Sequence, residues 1–396
     1  MGTIKPNAIA VRDKLSQQSI LELLNSTNWE QGSKFPYVVE FDPTTKCNLA
    51  CPDCISGSLL DQDEFENVRV RELVGELIEG GVKAVILIGG GEPMMHPETD
   101  WIIRTFGSHG VHLGITTNGL YLKKHLDALS EFANWVRVSV DAGTSETFNR
   151  VRPSKAGTSM FPRVLDNIAD YAKVKKKGNK LGFSFMVFAA GDYGFKGIPI
   201  SSVNGKERFN SLKNKISTNV HEIALAAEIA KNIGCDYFEI KPMYDVNHFS
   251  VIQHEKIADI VEEQLDIAST LNDDRFQIIE ALKLRASLRG GNNIEPKYYT
   301  RCAISELRTL VTPSGVYVCP YFRGVESKNI GDPTKHSFAK IWSGERRKEV
   351  MGKLDPSIDC SMHCIRNDSN IFIEKYLSDA DFRDSTHPSR DYDRFI

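Results

Sequence analysis

Between residues 35 and 245, apolar strand-like runs alternate with helical stretches, and this alternation constrains the fold more than any other feature. The strand-like runs lie at 37–41, 84–88, 111–117, 135–140, 181–188 and 237–241, rich in β-branched and aromatic residues. Between the first two, Val70, Leu73, Val74, Leu77 and Ile78 recur at helical spacing until Gly80-Gly81 stops them. Further helices are expected at 97–107, 120–133, 161–176 and 219–233. Strand–helix alternation predicts an α/β fold with a parallel sheet covered by helices. Six such units fit a partial, open (β/α)6 barrel. The notable polar residues fall at the C-terminal ends of the strands, where barrels build their sites.

The first strand runs into Cys47-Asn48-Leu49-Ala50-Cys51-Pro52-Asp53-Cys54. Three thiols on one short loop can hold three corners of a metal centre and leave a fourth open for chemistry. Half of a zinc site is the plainer reading, although zinc pairs usually have a distant second pair. The second strand ends in Gly89-Gly90-Gly91-Glu92-Pro93, a glycine run that lets a ligand approach the backbone closely. It lacks the Lys-Ser/Thr of a phosphate-binding loop.

In order and separation, the CNLACPDC and GGGEP motifs resemble those of the radical S-adenosylmethionine (SAM) enzymes. The resemblance covers residues 35–245, with a second match over 302–364. It implies a radical SAM barrel in which Cys47, Cys51 and Cys54 hold a [4Fe–4S] cluster whose open iron takes the amino and carboxylate groups of SAM. By position, Gly90, Gly91, Glu92 and Pro93 would contact SAM through the loop backbone. Asn118 would touch SAM after the third strand, Ser139 and Asp141 would reach its ribose, and Arg152 would pair with its carboxylate. Ser139 and Asp141 can equally cap the turn that follows them, and Arg152 can be a solvated charge. One departure concerns the residue before the third cysteine. The family usually has an aromatic there, near the adenine; this chain has Asp53, so adenine packing falls to Ile55 or elsewhere.

The last third changes character. Residues 308–319 read as a β-hairpin turning at Pro313-Ser314-Gly315, followed by a helix over 337–351. Cys302, Cys319, Cys360 and Cys364 frame these elements. Four thiolates can close around zinc or fill every corner of an iron–sulfur cubane, and spacing alone does not separate the two. The resemblance does: the region looks like the C-terminal SPASM/twitch extension, in its short form with one auxiliary [4Fe–4S] cluster. Cys235 is left over and reads as a small buried hydrophobe. His96 reads as structural, and the basic run 173–180 as a solvated helix end.

The expected organisation is a lead-in (1–34), the barrel (35–245), a helical insertion or linker (246–300), a small α+β auxiliary-cluster domain (301–368) and a polar C-terminal tail (369–396) that is loosely held. The insertion at 189–217 and residues 244–300 are either lids or surface decoration. Lys241 and Tyr244, ending the sixth strand, are candidate substrate contacts; Lys241 either anchors a substrate or pairs with a core carboxylate.

Charge is nearly balanced, with 49 Lys+Arg against 52 Asp+Glu. That gives no electrostatic footprint for nucleic acid and no basic membrane anchor. No apolar run reaches membrane-spanning length. Eight cysteines without a secretory signal point to the cytoplasm and to metal ligation.

The resemblance implies reductive cleavage of SAM to a 5′-deoxyadenosyl radical, with flavodoxin or ferredoxin as electron donor. A fully ligated second cluster suits net oxidation. The favoured expectation is therefore a dehydrogenase acting on a hydroxyl-bearing carbon of a small polar molecule such as a sugar or aminocyclitol. The alternatives are a sugar epimerase and a peptide-modifying (RiPP) maturase; the short stretch before Cys47 argues against a peptide recognised in cis. A zinc or iron–sulfur binding module is the non-enzymatic alternative.

Overall fold

The computed structural model describes residues 14–188, 218–243, 257–281, 284–288, 297–360 and 364–396. Tyr244, the insertion at 189–217 and residues 244–256 of the second insertion lie outside them.

One ten-stranded sheet organises the chain, in the order β10-β9-β8-β1-β2-β3-β4-β5-β6-β7. The barrel strands are β1 (Val38–Phe41), β2 (Ala84–Leu87), β3 (His112–Thr117), β4 (Ala133–Ser139), β5 (Lys180–Val187) and β6 (Tyr237–Pro242), each parallel to the next. Strand β7 (Gln277–Glu280) adds a further parallel strand beside β6. On the other side, β8 (Arg308–Thr312) runs parallel to β1 and turns into the antiparallel β9 (Gly315–Tyr317) and β10 (Asn329–Gly331). The fold is a partial barrel, and the expected late hairpin is hydrogen-bonded directly into its sheet.

Side-chain alternation sets the two faces. Val39, Phe41, Leu113, Val136, Phe183 and Phe238 face the covering helices and are fully buried. Burying each such side chain is worth about 1.5–3 kcal/mol. Helices Asn67–Glu79, Thr99–Ser108 and Phe161–Val174 supply the opposing apolar stripes, for example Val70, Leu73, Val74 and Leu77. The opposite face carries Glu40, Thr116, Arg137, Ser184, Glu239 and Lys241, the alternate positions of the same strands.

A second core closes the N-terminal end of the barrel. Ile20 and Leu24 of helix Gln18–Ser26 pack with Val38, Ile86, Leu307, Ile373 and Phe395. The expected loose tail is therefore not what the structure shows. Residues Asn367–Ser378 form a helix with Phe372, Ile373 and Tyr376 buried. Phe395 meets the Trp135 ring edge-on at 5.5 Å. Buried Gln17 pins the segment, accepting from the Tyr392 and Asp393 backbone N–H groups at 2.6 and 2.8 Å. The apolar residues of the Asn367–Ser378 helix are few among polar ones and Gln17 grips the segment from far along the chain, so this anchoring was not visible in the sequence. The expected helix over 337–351 is broken into Phe338–Trp342 and Glu345–Lys353 at Ser343-Gly344.

Candidate active site

The thiol loop leaves β1 and is laced to its neighbours by backbone hydrogen bonds. Gly91 N–H donates to Thr44 O at 3.2 Å and Glu92 N–H to Lys46 O at 2.8 Å, binding the glycine loop to the approach to Cys47. A Cβ on Gly91 would lie 2.2 Å from Lys46 O, so only glycine fits there. The Glu92 carboxylate is buried and fully used. It accepts from Thr117 Oγ1 (2.8 Å), Asn118 N–H (2.7 Å) and Met94 N–H (3.1 Å). Burial pushes its pKa up, and those donors oppose the shift. Glu92 thus ties the end of β2 to the end of β3 and leaves only the loop backbone to a ligand.

Asn118 and Arg152 both reach the thiol loop. Asn118 Nδ2 donates to Asn48 Oδ1 at 2.7 Å and lies 3.9 Å from Cys47 Sγ. Arg152 Nη1 lies 3.9 Å from Cys51 Sγ. Its Nε donates to Asp141 Oδ2 at 2.7 Å, and its Nη2 meets the same oxygen. Asp141 stands beyond β4 with φ 59°, a left-handed conformation that Asp tolerates. Its Oδ1 accepts the Met186 N–H at 2.7 Å. Asn219 holds this turn, donating to Asp141 O at 2.9 Å and Met186 O at 2.8 Å. Ser139 ends β4 two residues before Asp141. Ile55 is half exposed, and His96 is buried with both ring nitrogens partnered, by Phe65 O and the Glu98 N–H.

Burial pushes the Cys47 and Cys51 thiols up to about 12, neighbouring cysteines add to the shift, and Arg152 opposes it at Cys51. Cys54 is raised for the same reason. Such thiols ionise when a metal supplies the positive charge.

Around the loop several buried polar atoms have no partner among the described residues: both carboxyl oxygens of Asp53, Asp42 Oδ1 and Arg323 Nη2. Asp53 is pushed up to about 7 by burial and by Asp141. Each orphaned buried group costs about 1–3 kcal/mol until a partner arrives. A ligand with an ammonium, a carboxylate, an exocyclic amine and hydroxyls, as SAM has, supplies the missing donors and acceptors. The residues fit that group and an adjoining thiolate-held cluster.

The late cysteines form a second group. Cys319 feels Cys364 and Cys302, and Cys360 feels Cys302 and Cys364, each raised chiefly by burial. Ser305 Oγ donates to Cys302 Sγ at 3.2 Å, Asn370 Nδ2 to the same sulfur at 3.5 Å, and the Arg366 N–H to Cys364 Sγ at 3.4 Å. Hydrogen bonds to sulfur stabilise thiolates and tune a bound centre. Ser305, Arg366 and Asn370 were not singled out from sequence, since nothing local marks them. Among the described residues, no three His, Cys, Asp or Glu side chains converge tightly enough for a single metal ion. Cys235 is buried at the far end of β6, its thiol pushed up by burial.

Residues 41–191 match the family model described as Radical SAM superfamily. The chain contains a radical SAM domain. Its similarities are more specific than that class. Over 115 residues it is 36% identical to GTP 3′,8-cyclase of Synechocystis sp., covering 27% of this chain and 34% of that protein. Over 144 residues it is 29% identical to the mycofactocin maturase MftC of Mycobacterium ulcerans, covering 36% of this chain and 38% of that protein. The matches thus span little more than a third of these relatives. Among solved structures, Streptococcus suis SuiB bound to the precursor peptide SuiA superposes with a TM-score of 0.57 at 14% identity, over 94% of this chain and 77% of SuiB. The structure of anSMEcpe with bound AdoMet and the Cp18Cys peptide gives 0.54 at 14% identity, over 89% and 99%. These two establish a shared fold. No helix among the described residues is long and apolar enough to cross a membrane.

Proposed function

We propose that this radical SAM enzyme modifies a peptide, and that Cys47, Cys51 and Cys54 hold its SAM-binding [4Fe–4S] cluster. The similarity to a mycofactocin maturase supports a peptide substrate over the sugar or aminocyclitol expected from the late thiols. The peptides named with SuiB and anSMEcpe are in keeping with that reading. With cluster and SAM bound, the site would supply a 5′-deoxyadenosyl radical that removes a hydrogen atom from unactivated carbon.

The chain's own residues do the positioning. Glu92 and Gly91 fix the loop backbone against which SAM would lie. Asn118 and Arg152 would orient it beside Cys47 and Cys51, and Asp53 would accept one of its N–H or O–H groups. Arg152 is drawn into a fork with Asp141, so ligand binding would compete with that pair. Cys302, Cys319, Cys360 and Cys364 would ligate an auxiliary cluster in a SPASM/twitch-like segment. Four thiols leave that cluster no open corner, which suits passing electrons over binding substrate.

The observation that carries the proposal is the convergence of the early thiols, the glycine loop, Asn118 and Arg152 on one rim of the barrel. Anaerobically reconstituted, reduced protein should convert SAM to 5′-deoxyadenosine and methionine, faster with peptide, and yield a peptide of altered mass. Turnover with sugars or aminocyclitols alone would return the reading to small-molecule oxidation. No SAM cleavage under any condition would leave only a metal-binding module.

A further inference from the structure

Deeper in the barrel, on the face away from the helices, three charged side chains stand together. Arg137 of β4 and Glu239 and Lys241 of β6 reach towards each other across β5. The β5 residues between them on this face are Gly182 and Ser184, paired with Arg137 and Glu239 respectively; the Tyr237 ring of β6 covers Gly182, which leaves the small Ser184 beside Glu239. Arg137 Nη1 donates to Glu239 Oε2 at 3.0 Å, while Lys241 Nζ is 3.5 Å from that same oxygen. Two cations therefore share one carboxylate oxygen.

The cations keep donors to spare. Arg137 Nε is buried with no partner among the described residues. Among the described residues its Nη2 makes a single long contact, 3.5 Å, to Thr116 Oγ1. About a quarter of each cationic side chain stays accessible, 27% for Arg137 and 26% for Lys241, so solvent reaches the set. The nearby carboxylate does not cancel the surplus, because Asp141 is held by Arg152. Burial first, and then Arg137, push the Lys241 pKa down against the pull of Glu239 and Asp141. Asp141 is felt electrostatically by both Lys241 and Cys51.

We propose that Arg137 and Lys241 form a subsite for a substrate carboxylate, so that the peptide presents an Asp or Glu side chain into the barrel at or beside the residue modified. This rests on the peptide reading above. A guanidinium fork and a mobile ammonium, pre-set by Glu239, make a charge-assisted two-point clamp for a carboxylate. Glu239 keeps the two cations from repelling each other while the site is empty of substrate.

The test uses the reconstituted, SAM-loaded full chain and a pool of random short peptides. Peptides retained by wild-type protein at low salt should be enriched in Asp and Glu by at least about twofold over the pool. The enrichment should vanish in Lys241→Gln and persist in Lys241→Arg, each variant first shown to melt like wild type. A parallel arm compares glucuronate with glucose as competitors. Retention of peptides without acidic enrichment would overturn the subsite and leave the peptide reading intact. Binding of glucuronate but of no peptide, lost in Lys241→Gln, would uphold the carboxylate subsite and overturn the peptide reading. Binding of neither would overturn the subsite.

Discussion

Arg323 Nε donates to Asp42 Oδ2 at 2.8 Å, and the same oxygen accepts the Gly90 N–H at 2.9 Å. Arg323 Nη1 also reaches Ser56 Oγ at 3.3 Å. One guanidinium, four residues past Cys319, thus touches the end of β1 and the loop just past Cys54, and meets the glycine loop through Asp42. Asp42 is fully buried, and burial pushes its carboxyl up to about 6 against the pull of Arg323. Removing the cation from such a pair costs about 3–5 kcal/mol. Urea unfolding of Arg323→Met should show a loss of that order, partly restored in Arg323→Met/Asp42→Asn. A loss below about 1 kcal/mol would mean the pair is not the strut described.

The glycine loop offers a sharper contrast. A Cβ on Gly90 would find its nearest neighbour, Thr45 Cγ2, at 3.5 Å, an ordinary contact. On Gly91 it would strike Lys46 O at 2.2 Å and Thr45 C at 2.4 Å, backbone atoms that cannot swing aside. Gly91→Ala should lose about 1–3 kcal/mol of stability and about tenfold or more in SAM affinity. Gly90→Ala should melt as wild type does. Equal melting of the two variants would contradict the loop geometry.

Glu239 gives the pH prediction. Burial alone would raise its pKa, but Lys241 and then Arg137 hold it down at about 2 from an ordinary 4.5. A depressed folded pKa stabilises the fold above the ordinary value, and that contribution disappears as pH falls from 4.5 towards 2. Thermal melting should therefore show Glu239→Gln less stable than wild type near neutrality, with the gap closing through that acid range. A gap that stayed constant would show that the carboxylate carries no such linkage.

The two thiol groups should separate by metal content. Alanine at Cys302, Cys319, Cys360 or Cys364 should lower bound iron from about eight towards about four per chain while SAM still binds. Cys235→Ala should leave iron unchanged and cost about 1–2 kcal/mol through its small cavity. Zinc in place of iron at the late group in anaerobically purified protein would instead make that group a structural staple.

Much of the barrel was legible because its strands are rich in β-branched and aromatic residues and the helices between them keep a clear period. The thiol and glycine loops were legible because their residues are adjacent in sequence. Strand β7 was not: its Gln277–Glu280 run is short, half exposed and at the sheet edge. The grip of Gln17 on Asp393, the Arg323–Asp42 pair and the Asn370–Cys302 contact join residues far apart along the chain. Polar partners of that kind leave no local spacing to read. Arg152 was singled out for the SAM carboxylate by its motif position alone; its fork with Asp141 was not legible, because it depends on the turn that Asn219 holds.

Because β8 lies against β1 on the side away from β2, the late segment shields a flank of the barrel. A version cut short ahead of residue 301 would bare the backbone of Val38–Phe41, four buried residues, and would strip Glu40 of its Arg308 partner. Uncovered strands of that kind recruit copies of themselves. Trimming the protein ahead of residue 301 would thus yield a precipitate in place of a minimal catalyst.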